Sequence, residues 1–305
     1  MKEKVQNRIK IMCTSTGCIE YAPERYRNLG IDIIRIYVNF MGKEYREGLD
    51  LDPVEFYEQL ATLKDPRNNL PTTAMPSVED IRGHFDRAYE AGYREVFVVA
   101  ISSALGGTYN LIRLVSEDYK DKMDIRVIDS KITCFGEGIL AVRAAQLAED
   151  GADLDRIEKE VAWMMARQEF VGVDGTLDYL IYNGRLKGSK AFFGKLLNFC
   201  PVIHFSREGE VVPIQSVRTP KKALARSCEI VKEIIGDRSP EDYIMWHIYT
   251  GPSLLRELVE IEKKYDIKTN HEPVIMSPVS GSHNGPYLAG YGIAFLRRED
   301  EPLDE

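Results

Sequence analysis

Ser102 and Ser103 close an apolar run over residues 95–101, and Gly106, Gly107 and Thr108 then lead into what reads as a helix. Strand end, glycine turn and helix start, in that order, leave backbone N–H groups and small hydroxyls facing a crevice, where open α/β sheets hold anionic ligands. The same residues fit an ordinary strand-to-helix turn whose serines only cap the helix, and local spacing does not choose between the two. His283 lies in Ser280-Gly281-Ser282-His283-Asn284-Gly285-Pro286, a glycine-flanked stretch read as a loop too polar for a core, where imidazole and backbone can approach a ligand closely. Thr73 sits in Pro71-Thr72-Thr73-Ala74-Met75-Pro76-Ser77, an extended loop by its prolines; alone, it reads as a turn residue. Ser102 or Ser103 with His283 would imitate a hydrolase pair, yet no acidic residue stands out as a third member.

The other chemistry-bearing side chains point to structure. His84 and His271 read as exposed, His204 as a strand residue and His247 as a hydrogen-bonded core histidine. The five cysteines, at 13, 18, 134, 200 and 228, form no close CxxC pair and fit buried reduced thiols better than disulfides or metal ligands. No P-loop, HExxH, GxSxG or post-strand GxGxxG occurs, so neither bound nucleotide nor metal chemistry has support.

The elements that must position these residues alternate. Residues 9–13 and 31–38 read as strands, 53–63 as a helix, and Ser77 with Asp80 as a capping box opening a helix through residue 91. Strands at 95–101 and 124–128, with helices through 149 and over 153–168, predict a mainly parallel α/β sheet. After residue 165 the pattern changes to strands near 170–174, 200–205, 210–217, 242–249, 272–277 and 290–296, with helices at 188–197, 220–235 and 252–264. The expectation is an N-terminal α/β domain over residues 1–165 and a C-terminal α+β domain over residues 166–305.

Composition narrows the function class. In 305 residues, 44% are hydrophobic, enough for a substantial core in each domain. Lys plus Arg number 40 against 48 Asp plus Glu, so charge recruits neither nucleic acid nor anionic lipid. The start Met1-Lys2-Glu3-Lys4-Val5 has no apolar signal core, and residues 96–101 are far short of a ~20-residue span, which predicts a cytoplasmic protein with no integral membrane segment.

Seven short segments, in order, resemble the DegV family of bacterial fatty-acid-binding proteins over about residues 11–295. Pro71-Thr72-Thr73-Ala74-Met75-Pro76-Ser77 is similar to the family's TSQPS loop, and Ile101-Ser102-Ser103-Ala104-Leu105-Gly106-Gly107-Thr108-Tyr109 to its SSxLSGTY. Val127-Ile128-Asp129-Ser130 matches VIDS; Thr176-Leu177-Asp178-Tyr179-Leu180 and Asn183-Gly184-Arg185-Leu186 match the L-x-YL and GGRI segments. Val217-Arg218-Thr219 resembles the K-x-R strand end, and His283-Asn284-Gly285-Pro286 resembles H-x-GPG.

The resemblance implies a first domain like that of dihydroxyacetone kinases and an apolar tunnel, between or within the domains, holding a long-chain fatty acid and no other cofactor. The carboxylate would be held by Thr73, Ser102, Ser103 and the His283, Asn284, Gly285 stretch, whose hydroxyls and N–H groups replace water without a full countercharge. Phe192, Phe193, Leu196 and Leu197 would line the tunnel, a stripe that ordinary core packing explains equally well. The chain would be a carrier with no catalytic residue of its own, presenting the acid to a separate fatty acid kinase that makes the acyl phosphate for phospholipid synthesis. Arg185 and Arg218 would face that kinase or the developing phosphate, or be plain surface arginines. This chain departs from the family at Thr14 for an acidic residue, Ala74 and Gly106 for serines, and Asn183 and Tyr287 for glycines. An enzyme acting on a small carboxylate or phosphorylated metabolite, predicting a polar open cleft, and a lipid sensor using the same pocket are the alternatives.

Overall fold

The computed structural model describes residues 9–63, 69–186, 200–298 and 301–303. The first half carries Ile9–Thr14 (β1), Asp32–Ile34 (β2), Tyr37–Phe40 (β3), Lys43–Arg46 (β4), Thr72–Ala74 (β5), Glu95–Ala100 (β6) and Asp124–Asp129 (β7). Four of them form a parallel sheet in the order β2-β1-β6-β7. The run Glu-Val-Phe-Val-Val-Ala of β6 suits its central place, since a parallel strand covered on both faces has no polar side to show.

The second half carries Gln168–Asp174 (β8), Cys200–Phe205 (β9), Val211–Val217 (β10), Tyr243–Tyr249 (β11), Val274–Ile275 (β12) and Leu288–Phe295 (β13). They form one six-stranded sheet in the order β10-β9-β8-β13-β11-β12, antiparallel except between β11 and β12.

The helix Phe135–Glu149 packs against β1 and β6 on one side and β8 and β13 on the other. Being apolar nearly all round, it has no face fit for water, and it forms the middle layer between the two sheets. Helices Val78–Glu90 and Thr108–Ser116 cover the far face of the parallel sheet around Ile81, Phe85 and Ile112. Helices Pro220–Ile235 and Pro252–Glu262 cover the outer face of the six-stranded sheet around Leu224, Val231 and Leu258. The result is a layered α/β protein, as the alternation of elements predicts. The capping box also forms: the Asp80 N–H donates to Ser77 Oγ and the Ser77 N–H to Asp80 Oδ2, each at 3.0 Å.

Four local expectations, for the run 31–38, the Thr73 loop, His271 and His84, are corrected. The run 31–38 is not one strand but two in different sheets, because at Ile36 the N–H donates to Ser15 Oγ (3.0 Å) and Arg35 is pulled aside to Glu20 (2.7 Å) and the Glu47 carbonyl (2.6 Å). The loop around Thr73 contains an edge strand, β5, that joins β4-β3-β5 with Thr73 opposite Val38. His271 is buried, its ring stacked on Tyr26 with centroids 5.3 Å apart. His84 is half-buried against Asp32 (2.8 Å), while His247 is a core histidine bonded to Glu262 (2.8 Å). The helix expected over 188–197, with Phe192, Phe193, Leu196 and Leu197, lies outside the described residues. All five cysteines are buried and free. Among the described residues no helix is long and apolar enough to cross a membrane, and no group of three His, Cys, Asp or Glu side chains could hold a metal ion.

Candidate functional site

A cavity of about 500 Å³ opens between the C-terminal end of the parallel sheet and the inner face of the six-stranded sheet. Its walls include Ile101, Leu105, Leu180, Ile203, Val211 and Val279, and its polar groups gather around Thr73, Arg185 and His283. That volume falls within the ~300–1,000 Å³ usual for a small-molecule site.

Each polar group is positioned by its own element. Thr73 is held by the β3-β5 pairing. His283 is not on a loop but in the last turn of a short helix, Pro278–Asn284, capped by Ser277, whose Oγ accepts the Ser280 N–H at 3.2 Å. Proline at the first helical position and a serine cap are strong start signals, and Gly285 ends the helix at φ 77°. A Cβ at Gly285 would lie 2.5 Å from the Tyr179 ring, so packing as well as backbone requires glycine. The helix start rests on Glu47, whose Oε1 accepts the Val279 N–H at 2.8 Å, and on Tyr57, whose hydroxyl is 3.0 Å from the carbonyls of Met276 and Ser277.

These elements bring Thr73 Oγ1 within 3.1 Å of His283 Nε2. The imidazole Nδ1 is buried without a hydrogen-bond partner among the described residues. Burial, helped by the nearby Arg185 charge, pushes the His283 pKa down to about 3, so the ring is neutral and offers one N–H. Arg185 reaches the cavity wall with Nε on the Leu105 carbonyl (3.1 Å) and Nη1 on the Asn183 carbonyl (2.6 Å). Arg185, expected to face a partner or a developing phosphate, thus lines the cavity with Thr73 and His283. Asn183, where the family has glycine, ties this loop to the histidine helix through Nδ2 and the Ser282 carbonyl (2.9 Å).

The two serines lie in the strand-to-helix turn but cap no helix, since the N-cap of Thr108–Ser116 is Gly107. Ser102 is buried, its hydroxyl donating to the Gly209 carbonyl (2.9 Å) and accepting the Ala104 N–H (3.2 Å), and it does not line the cavity. The Ser103 N–H donates to Asp129 Oδ1 at 3.0 Å, and its side chain is likewise outside the lining. From that segment the cavity receives Gly106, Gly107 and Thr108 instead, at the start of the helix. Asn284 lines the cavity with its amide turned back to the Ser280 carbonyl (2.9 Å), Gly285 does not line it, and Arg218 is exposed beyond β10.

Several neighbours escaped sequence reasoning. Thr133 and Ser280 line the cavity 2.9 Å apart, and Cys134 lines it beside them. Beneath lie two fully buried carboxyls. Glu137 accepts from Thr14 and, at 2.7 Å, from Thr16; burial pushes it up to about 8. Glu47 is pushed up to about 7, again by burial first. Glu137 had a sequence signal, a carboxylate between two glycines in an otherwise apolar helix, and a Cβ at Gly138 would lie 2.0 Å from the Gly17 carbonyl oxygen. Thr14 thus donates to the buried Glu137 carboxyl.

The arrangement can bind one apolar chain with an anionic or hydrogen-bonding end. A profile of the family described as "Uncharacterised protein, DegV family" matches residues 8–296. A DegV domain-containing protein of Clostridium perfringens is 30% identical over 296 residues, covering 95% of this chain and 99% of its own. The structure is similar to that of a fatty acid binding DegV family protein from Streptococcus agalactiae, with TM-score 0.84 and 28% identity over 95% of this chain and 99% of the other. A stearic acid-binding protein from Eubacterium ventriosum gives TM-score 0.80 and 28% identity over 94% and 98%.

Proposed function

Because the chain belongs to the DegV family, we propose that its cavity holds one long-chain fatty acid, with the carboxylate at Thr73, His283 and Arg185 and the hydrocarbon along the apolar walls. The observation that carries this reading is the polar cluster of Thr73 and His283, 3.1 Å apart, in a mostly apolar cavity. A buried carboxylate is costly unless donors replace its water, and a hydroxyl, an imidazole N–H and a guanidinium supply them. The gross affinity comes from the chain: at ~0.8 kcal/mol per buried methylene, about fifteen methylenes contribute on the order of 12 kcal/mol before ordering costs. The solved relatives described as fatty acid binding support the same ligand class.

On this reading the chain is a cytoplasmic carrier of two domains, residues 1–165 and 166–305, that presents the acid to a separate fatty acid kinase. Arg185 lies beside the carboxylate where phosphate would develop, and exposed Arg218 is free to meet the kinase surface. The mostly apolar lining weighs against an enzyme for a small polar metabolite.

Native mass spectrometry of the purified protein with lipid extraction tests the ligand. The expected result is one long-chain acid per chain. An apo mass together with no thermal shift on adding myristic, palmitic or stearic acid overturns the reading. ATP-dependent conversion of the bound acid to acyl phosphate by an added fatty acid kinase tests the partnership separately.

A further inference from the structure

Phe170 and Phe205 belong to two cavities at once. They line the one described above, and they also line a second cavity of about 690 Å³ whose other walls carry Lys131, Arg167 and Arg207. Their rings meet edge to face, with centroids 5.3 Å apart and planes at 68°. Strand register explains the pairing: Gly172 stands opposite Ile203, so two residues farther along the antiparallel strands Phe170 comes opposite Phe205. This is the end of β8 remote from His283. Asp174 pairs with Leu288, just beyond the histidine helix, whereas Phe170 lies four residues back, roughly 13 Å at ~3.3 Å per residue. A Cβ at Gly172 would lie 2.7 Å from Phe170 Cε1, so the ring folds back over the glycine against the sheet.

We infer that the Phe170–Phe205 pair is the stop for the methyl end of the ligand and sets the longest acyl chain the cavity accepts. The inference rests on the fatty-acid reading. A methyl terminus reaching the pair meets aromatic carbon. The two rings close the way to the second cavity, whose walls mix Lys131, Arg167, Glu169 and Arg207 with Ile132, Met165 and Ala166. Each methylene on the near side gains about fourfold in affinity, and a chain longer than the near cavity must displace the rings to gain more.

Affinities of lauric, myristic, palmitic, stearic, arachidic and behenic acids, measured by displacement of a fluorescent fatty acid, test the stop. Phe205→Ala joins the two cavities and is expected to tighten arachidic and behenic acids by about tenfold relative to palmitic acid. Gly172→Ala drives the Phe170 ring into the near cavity and is expected to weaken stearic relative to myristic acid by about tenfold. Should Phe205→Ala fail to fold by circular dichroism, Phe205→Leu and Gly172→Ala decide the matter. Folded variants that bind palmitic acid with the wild-type rank order of chain lengths overturn the stop and leave fatty-acid binding standing. A wild-type protein that binds none of the acids overturns both.

Discussion

The hydroxyl of Thr73 and the imidazole of His283 lie 3.1 Å apart across 210 residues of chain. One comes from an edge strand of three residues, the other from the last turn of a seven-residue helix. Neither element has much stability alone, since short helices and short edge strands are marginal without tertiary packing. The contact therefore depends on Tyr57 and Glu47 beneath the helix and on the Val38 pairing beneath the strand. Because burial keeps His283 neutral, the pair offers hydrogen bonds, and the positive charge comes from Arg185.

Replacing Thr73 by Val keeps the side-chain shape and removes the hydroxyl. Losing about 1–1.4 kcal/mol of hydrogen bonding weakens palmitic acid roughly five- to tenfold. In titration calorimetry the double variant with His283→Gln should fall short of the summed single effects if, as proposed, the two groups act on one carboxylate. Strict additivity would separate them.

Gly106 stands where the family carries serine, and a Cβ built there meets nothing within 4 Å. Its φ is not positive, so an ordinary residue fits the backbone. Gly106→Ser should fold with unchanged melting temperature and strengthen fatty acid binding severalfold by adding a hydroxyl at the cavity wall, worth ~1 kcal/mol. A serine variant that binds no better would show that the hydroxyl does not reach the carboxylate.

The capping box at Ser77 predicts a purely structural effect. Ser77→Ala removes the acceptor for the Asp80 N–H and should cost ~1 kcal/mol in denaturant unfolding. The helix Val78–Glu90 packs on the outer face of the parallel sheet, so affinity for palmitic acid should not change. A drop in affinity without loss of stability would place that helix in the binding site.

The layers were legible because their signals are local: the continuous apolar run of β6, the serine cap of the helix Val78–Glu90, and the all-round apolarity of Phe135–Glu149. The β-branched run 31–38 misled because its break is set by Ser15, Glu20 and Glu47, contacts that no local pattern encodes. At the site, Thr73 and His283 were visible as hydroxyl and imidazole in proline- and glycine-flanked stretches. The roles of Ser102 and Ser103 were not, since what decides them is the Gly209 carbonyl and the Asp129 carboxylate. Arg185 in the cavity wall and Cys134, Thr133 and Ser280 beside it are likewise tertiary facts.

The buried carboxyls predict an unusual pH dependence of stability. Glu137 is raised from 4.5 to about 8 by burial, against the hydrogen bonds from Thr14, Thr16 and Cys13 that favour its charged form. In the unfolded chain it ionises near the ordinary value, so between about 4.5 and about 8 the folded protein holds a proton that the unfolded chain has lost. Stability from this group is therefore full below the lower value, falls as pH rises through the window, and levels off above it. Glu47, raised to about 7, adds the same sign over a narrower range. Glu137→Gln keeps the size and an oxygen acceptor for the threonine hydroxyls but has no proton to lose. The guanidinium unfolding midpoint of the wild type should decline across the window, and that of the variant should decline less. Parallel curves for the two proteins would mean that Glu137 ionises in the fold as readily as in water, and that its burial beneath the cavity is wrongly placed.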